Sequence, residues 1–217
     1  MSEDYINHPY ITQYIRKIIP KRDSFFSKLE EYAQENHVPI IQPEVAQLLR
    51  LQLRLLKPKR VLEIGTAIGY SALIFAEELD VDGKIDTIER YDKMVMVSRA
   101  NIEVAEMSDV INVIEGEAEE ILPKLDGMYD FVFLDAAKGQ YPEFLPHCIR
   151  LLRPGGLLIS DNVLYKGMIA SDHLVIRRKI TIVKRMRAYL NTIMEHEELE
   201  STVIPVGDGV ALSIKKG

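Results

Sequence analysis

Between Arg60 and Ser160 short apolar runs alternate with amphipathic stretches, and no other feature of the 217-residue chain limits its fold as strongly. The spacing predicts strands over Arg60 to Ile64, Lys84 to Glu89, Val110 to Glu115, Tyr129 to Leu134 and Leu157 to Ser160. Helices are expected in the intervals, from Tyr70 towards Leu79, Tyr91 to Glu106, Ala118 towards Leu125, and one running through Leu152. Such repetition means parallel strands joined by right-handed crossovers, with helices covering the sheet. The run Phe131-Val132-Phe133-Leu134 fits a strand buried on both faces. Beyond the alternation a long basic-faced helix is expected from near Leu174 to Glu197. Ser201 to Val206 and Val210 to Lys215 then flank Gly207-Asp208-Gly209, which favours an antiparallel hairpin.

Residues 3–56 carry helical patterns broken at Pro20 and Pro39, with no strand. Ile11, Tyr14, Ile15 and Ile18 fall at helical spacing, Phe25, Phe26, Leu29 and Tyr32 do the same, and a third helix starts at Pro43. One domain is expected over 1–217, with a helical appendage at 1–57 and an α/β core at 58–217. The appendage either covers the ligand edge of the sheet or pairs with a second subunit. No apolar run approaches the ~20 residues of a membrane span. The start, MSEDYINHPY, lacks both a basic and an apolar signal region, so a cytoplasmic protein without membrane association is expected. The single cysteine, Cys148, excludes an internal disulfide and a Cys-Cys zinc site, and reads as a buried small side chain. A formal net charge of -6 argues against non-specific nucleic-acid binding, although a local basic face can coexist with it.

The first strand runs into a glycine turn and a helix, VLEIGTAIGYSA. A dinucleotide fingerprint needs glycine where this chain has Ala67, and no Gly-Lys-Ser/Thr follows to make a P-loop. What remains is E-x-G-x-x-x-G, from Glu63 to Gly69. Glu89 ends the second strand near the ~20-residue spacing at which a carboxylate meets a ribose hydroxyl pair. Gly116-Glu117-Ala118 follows the third strand, where a side chain can reach an adenine or simply cap a helix. Asp135 and Lys138 follow the fourth strand, at the edge where open α/β sheets bind ligands; for Asp135 an N-cap is the alternative. Ser160-Asp161-Asn162 closes the fifth. Asp135, Asp161 and Asn162 offer hard oxygen donors, which suit Mg²⁺, or Mn²⁺ or Ca²⁺ in its place, better than zinc. Asp161 and Asn162 can share one ion only if the strand breaks there.

EIGTAIGYSA, TIER, LDAAKGQY and DNVLYKG occur in an order and spacing that resembles the cation-dependent O-methyltransferases, including catechol and caffeoyl-CoA O-methyltransferases. Through HVPI, DAAKGQY, DNVLYKG and IPVGDGVALSIKK the chain is most similar to bacterial tRNA 5-hydroxyuridine methyltransferases. The resemblance implies a Rossmann-like class I fold, a seven-stranded, mostly parallel sheet with a C-terminal antiparallel hairpin and extra N-terminal helices. It implies contacts to S-adenosylmethionine at Ile41, Glu63, Gly65, Ser71, Glu89, Glu117 and Asp135, with Glu117 standing where Asp is usual. It also implies metal ligation by Asp135, Asp161 and Asn162, a catalytic Lys138, and a homodimer.

Catechols and 5-hydroxyuridine each present two vicinal oxygens, so one metal site serves either. Arg177, Arg178, Lys179, Lys184, Arg185 and Arg187, with Arg16, Lys17, Lys21 and Arg22 as a second group, either neutralise phosphates or form a solvated face. The resemblance places tRNA first and a small catechol or caffeoyl-CoA-type acceptor as the alternative. A non-catalytic cofactor-binding protein is the third reading, opposed by the presence of Lys138 with all three expected ligands.

Overall fold

The computed structural model describes residues 6–217; residues 3–5, at the start of the helical N-terminal pattern, lie outside the described residues. Three helices come first, α1 (Pro9–Ile18), α2 (Ser24–Glu35) and α3 (Pro43–Leu56). The alternating region then gives β1 (Arg60–Ile64), α4 (Tyr70–Ala76), β2 (Lys84–Glu89), α5 (Asp92–Val104), β3 (Ile111–Glu115), α6 (Ala118–Ile121), β4 (Tyr129–Leu134), α7 (Tyr141–Leu151) and β5 (Leu152–Ser160). The chain closes with α8 (Ile180–Glu195), β6 (Leu199–Ile204) and β7 (Val210–Lys215).

The seven strands form one sheet in the order β3-β2-β1-β4-β5-β7-β6. β1 to β5 are parallel, and β7 runs antiparallel to both β5 and β6. This is the α/β architecture that the alternation predicts. Period two along β4 divides the core: Phe131 and Phe133 face one helical layer, Val132 and Leu134 the other. On the first face Phe75 of α4 meets Phe131 and Phe133 edge-on, with centroids 5.8 and 5.4 Å away. On the second face α7 and α8 bring Tyr141, Cys148 and Tyr189 into the core, so Cys148 is buried and unpaired as expected.

The N-terminal helices divide unequally. Asp23 caps α2 by accepting the N–H groups of Phe25 and Phe26 at 2.9 and 3.1 Å, and Phe26, Leu29, Val45, Leu49 and Leu53 are buried with the first layer. α1 buries no residue, and it leaves Tyr10, Tyr14 and Ile18 exposed. Among the described residues no helix is long and apolar enough to cross a membrane.

Several boundaries shift by a few residues from those expected, and two starts, those of α8 and β5, shift furthest. The expected long helix starts at Ile180 rather than near Leu174, after short 3-10 turns at Asp172–Leu174 and Arg177–Lys179. Arg177, Arg178 and Lys179 are three consecutive cations, which the positive end of a helix dipole disfavours in its first turn. β5 begins at Leu152 rather than Leu157, since Tyr129 pairs with Leu152 before a register shift at the Pro154-Gly155-Gly156 segment.

Candidate cofactor and metal site

The carboxyl ends of the parallel strands surround a cavity of about 690 Å³. The β1–α4 loop forms its floor. Gly65 has φ +107°, and a Cβ there would lie 2.4 Å from the carbonyl oxygen of Asp135, so only glycine lets the end of β1 approach the end of β4. Ala67 adopts φ +48° in the position where a dinucleotide loop has glycine. Its N–H donates to Glu89 Oε2 at 2.8 Å, while Glu89 Oε1 accepts the N–H groups of Arg90 and Tyr91 at 2.9 and 3.0 Å. The carboxylate at the end of β2 therefore fixes the loop at the end of β1.

Ile41, Gly65, Ser71, Glu89, Glu117, Asp135, Lys138, Asp161 and Asn162 all line the cavity. Glu63, the other expected cofactor contact, is not among the lining residues. It is completely buried behind the wall, where Thr87 Oγ1 donates to it at 2.5 Å and Ser71 Oγ donates to its other oxygen. Burial pushes Glu63 up to about 8, against the two hydroxyls that favour its charged form. Its part is to hold Ser71, which does reach the cavity. The strand period explains the difference: Glu63 points into the face layer of the sheet, whereas loop residues point over its edge.

Glu117 precedes α6 without making a side-chain cap bond, and its Oε2 lies 3.6 Å from Nη1 of Arg90. Arg90 in turn donates to the Tyr91 hydroxyl at 2.6 Å. Of this rim, Arg90 closes the TIER motif, whereas Tyr91 carries no signal beyond its position after β2.

Asp135, Asp161 and Asn162, the expected metal ligands, line this same cavity. Asp135 is not an N-cap, because Ala137 and Gln140 occupy the positions before the 3-10 turn Lys138–Gln140 and before α7. Its Oδ1 lies 3.8 Å from Lys138 Nζ instead. On β5 the strand ends at Ser160, and Asn162 turns left-handed at φ +55°, which is the break needed for Asp161 and Asn162 to share one side. The Asn162 N–H donates to Asp161 Oδ1 at 2.6 Å.

The segment after Asn162 stays irregular, with Tyr165 and Lys166 also at positive φ. The β6–β7 turn holds it there: Val163 N–H donates to Gly209 O at 2.9 Å, Leu164 N–H to Asp208 O at 3.0 Å and Lys166 N–H to Asp208 Oδ1 at 2.5 Å. A Cβ on Gly209 would sit 2.4 Å from Leu164 Cγ. In the sequence this turn reads only as a hairpin, and its second task as a support for the site has no local signature.

Asp135 and Asp161 are both held above the usual carboxylate range. Burial is the first cause for each; repulsion from Asp135 adds to it for Asp161, and Lys138 opposes it. Two confined carboxylates and a carboxamide are a donor set that fits a hard divalent cation. Among the described residues no group of three or more His, Cys, Asp and Glu is placed to hold a metal.

The cations of the basic segment have separate surroundings. Arg185 donates to Gly139 O and pairs with Glu143, and Arg187 donates to Ile169 O and pairs with Asp172. Lys179 Nζ lies 5.6 Å from the centre of the Tyr165 ring. Arg177, Arg178 and Lys184 are exposed. In the second group Arg16 pairs with Glu44 and Arg22 with Glu77, while Lys17 and Lys21 are exposed.

A family model described as O-methyltransferase matches residues 21–216. The catechol O-methyltransferase of Niastella koreensis is 30% identical over 214 residues, covering 95% of this chain and 96% of that protein. The caffeoyl-CoA O-methyltransferase of Eucalyptus gunnii is 29% identical over 211 residues, covering 92% and 85%. The crystal structure of the O-methyltransferase TomG from Streptomyces achromogenes, involved in tomaymycin synthesis and solved in complex with SAM, is similar with a TM-score of 0.85 and 28% identity, covering 100% of both chains.

Proposed function

The chain belongs to the O-methyltransferase family, and from that premise we propose that it moves the methyl group of S-adenosylmethionine to one oxygen of an acceptor presenting two vicinal oxygens. The observation that carries this reading is the position of Asp135. Its backbone carbonyl meets the glycine loop at Gly65, and its side chain meets Lys138, so the methyl-donor wall and the reacting-oxygen wall share one residue. The TomG complex with SAM supports the choice of donor.

Methyl transfer from a sulfonium is an in-line displacement: the sulfur–carbon bond breaks as the oxygen–carbon bond forms, and the hydroxyl proton must leave. The chain's contribution is to hold both partners in line and out of water. Gly65, Ser71 and Glu89 are proposed to hold the donor, with Glu89 accepting the ribose hydroxyls through lone pairs that its N–H partners leave available. Ile41 closes the apolar side, and Glu117 is proposed for the adenine. Asp135, Asp161 and Asn162 would hold Mg²⁺, Mn²⁺ or Ca²⁺. Such an ion, when bound, supplies Lewis acidity that lowers the pKa of a neighbouring hydroxyl. Lys138 is proposed to accept the hydroxyl proton or to stabilise the oxyanion.

For the acceptor, the relatives named for catechol and caffeoyl-CoA support a small phenolic molecule. A 5-hydroxyuridine in tRNA is the second reading, favoured by exposed Arg177, Arg178 and Lys184. We further propose that the protein is a homodimer built in part on the exposed face of α1. The reading is tested by labelled-methyl transfer assayed side by side on a catechol panel and on tRNA bearing 5-hydroxyuridine, with and without chelator. Transfer to neither acceptor, or full transfer after rigorous metal removal, would reject it.

A further inference from the structure

Where the β4–β5 ladder stops, one buried hydroxyl joins the two strands. The last register pair is Leu134 with Ser160, and beyond it the Asp161 N–H still donates to Leu134 O at 3.0 Å before Asn162 leaves the strand. Tyr141, the first residue of α7, lies beneath this point with no exposed surface. Its hydroxyl donates to Leu134 O at 3.0 Å and to Asp161 O at 3.1 Å, a shared bond spanning the two strands. Leu134 immediately precedes Asp135, so the hydroxyl ties the backbone carrying one carboxylate to the backbone carrying the other. Those two carboxylates repel each other, and beside the single Asp161 N–H to Leu134 O bond the Tyr141 hydroxyl is the second tie that holds the two strand ends together.

We propose that Tyr141 is a positioning residue that sets the spacing of Asp135 and Asp161 for a divalent cation, an inference that rests on the metal reading above. The ring itself is part of the core, packed edge-on against Tyr189 with centroids 5.4 Å apart. Tyr189 has the same burial, but its hydroxyl pairs with Ser160 Oγ at 2.5 Å and touches neither ligand residue. The two tyrosines therefore separate a general role in packing from a role in spacing. Support for metal ligands from hydrogen-bonded neighbours commonly changes affinity by about ten- to a hundredfold.

The test is titration of the metal-free protein with Mn²⁺ alone, following the electron paramagnetic resonance signal of the free ion. Tyr141→Phe keeps the ring and should fold, yet bind Mn²⁺ about ten- to a hundredfold more weakly. Tyr189→Phe should bind as the parent does while losing comparable stability to urea. Parent-like affinity in Tyr141→Phe would overturn the inference alone, and so would equal weakening in both variants. Absence of Mn²⁺ binding by the parent protein would overturn the metal reading and this inference together.

Discussion

Glu89 Oε2 accepts the backbone N–H of Ala67 at 2.8 Å, so the acid that ends β2 holds the left-handed residue of the β1–α4 loop. The same carboxylate is the proposed ribose contact, which gives one side chain two reasons to matter for the donor. Glu89→Ala should weaken S-adenosylmethionine binding by about 1.5–3 kcal/mol, the range for hydrogen bonds to a charged group, or roughly ten- to a hundredfold. Calorimetry on the folded variant measures this. Unchanged affinity would remove Glu89 from the donor site.

Lys138 Nζ lies 3.8 Å from Asp135 Oδ1 on the cavity wall, beside the expected acceptor. Lys138→Ala should lower the methyl-transfer rate by about 10²–10⁴-fold, the range for a positioned acid or base. Donor affinity should hardly change, because Lys138 is not among the proposed donor contacts. Single-turnover rates near those of the parent protein would exclude a chemical role.

Glu63 gives a pH dependence whose sign follows from its burial. In the fold the carboxyl keeps its proton up to about 8, whereas its ordinary value is 4.5. Between those two values the unfolded chain binds fewer protons at this group than the native one, so this group's contribution to stability falls as pH rises through that window. Glu63→Gln should flatten the decline in urea midpoint between pH 5 and pH 8. A variant curve parallel to that of the parent would show that Glu63 is not the group responsible.

If the acceptor is tRNA, Arg177→Ala together with Arg178→Ala should weaken tRNA binding and reduce its salt dependence, by about one unit of log–log slope for each phosphate that the protein no longer neutralises. Transfer to a catechol should survive, because neither side chain lines the cavity. Filter binding across a salt series reads the first effect and labelled-methyl transfer the second. An unchanged slope would leave these two arginines as a solvated face.

α1 buries nothing and presents Tyr10 at 67%, Tyr14 at 64% and Ile18 at 60% exposure. Light scattering at micromolar concentration should give a dimer mass for the parent protein. Tyr14→Asp should lower it towards a monomer, since an unpaired charge within an apolar interface is costly to desolvate. A monomeric parent would reject the dimer.

The strand–helix alternation by itself determined the architecture, because parallel strands joined by helices have one favoured handedness and bind ligands at one edge. Residue type and position also marked Gly65, Glu89, Asp135, Lys138 and Asp161 as belonging to that edge, since each closes or follows a strand. The reach of these side chains was decided elsewhere. Glu63 sits in the same motif as Gly65, yet its strand position turns it behind the wall to meet Ser71 and Thr87. Asn162 could share a side with Asp161 only through a left-handed turn, and residues 208 and 209, far away in sequence, hold the segment that follows. Tyr141 reads as an ordinary motif residue until α7 brings its hydroxyl under the ends of β4 and β5. Local pattern encodes which backbone runs where. The contacts that fix a functional group's direction are made between distant segments, and their geometry exists only once the sheet and its helical layers have packed.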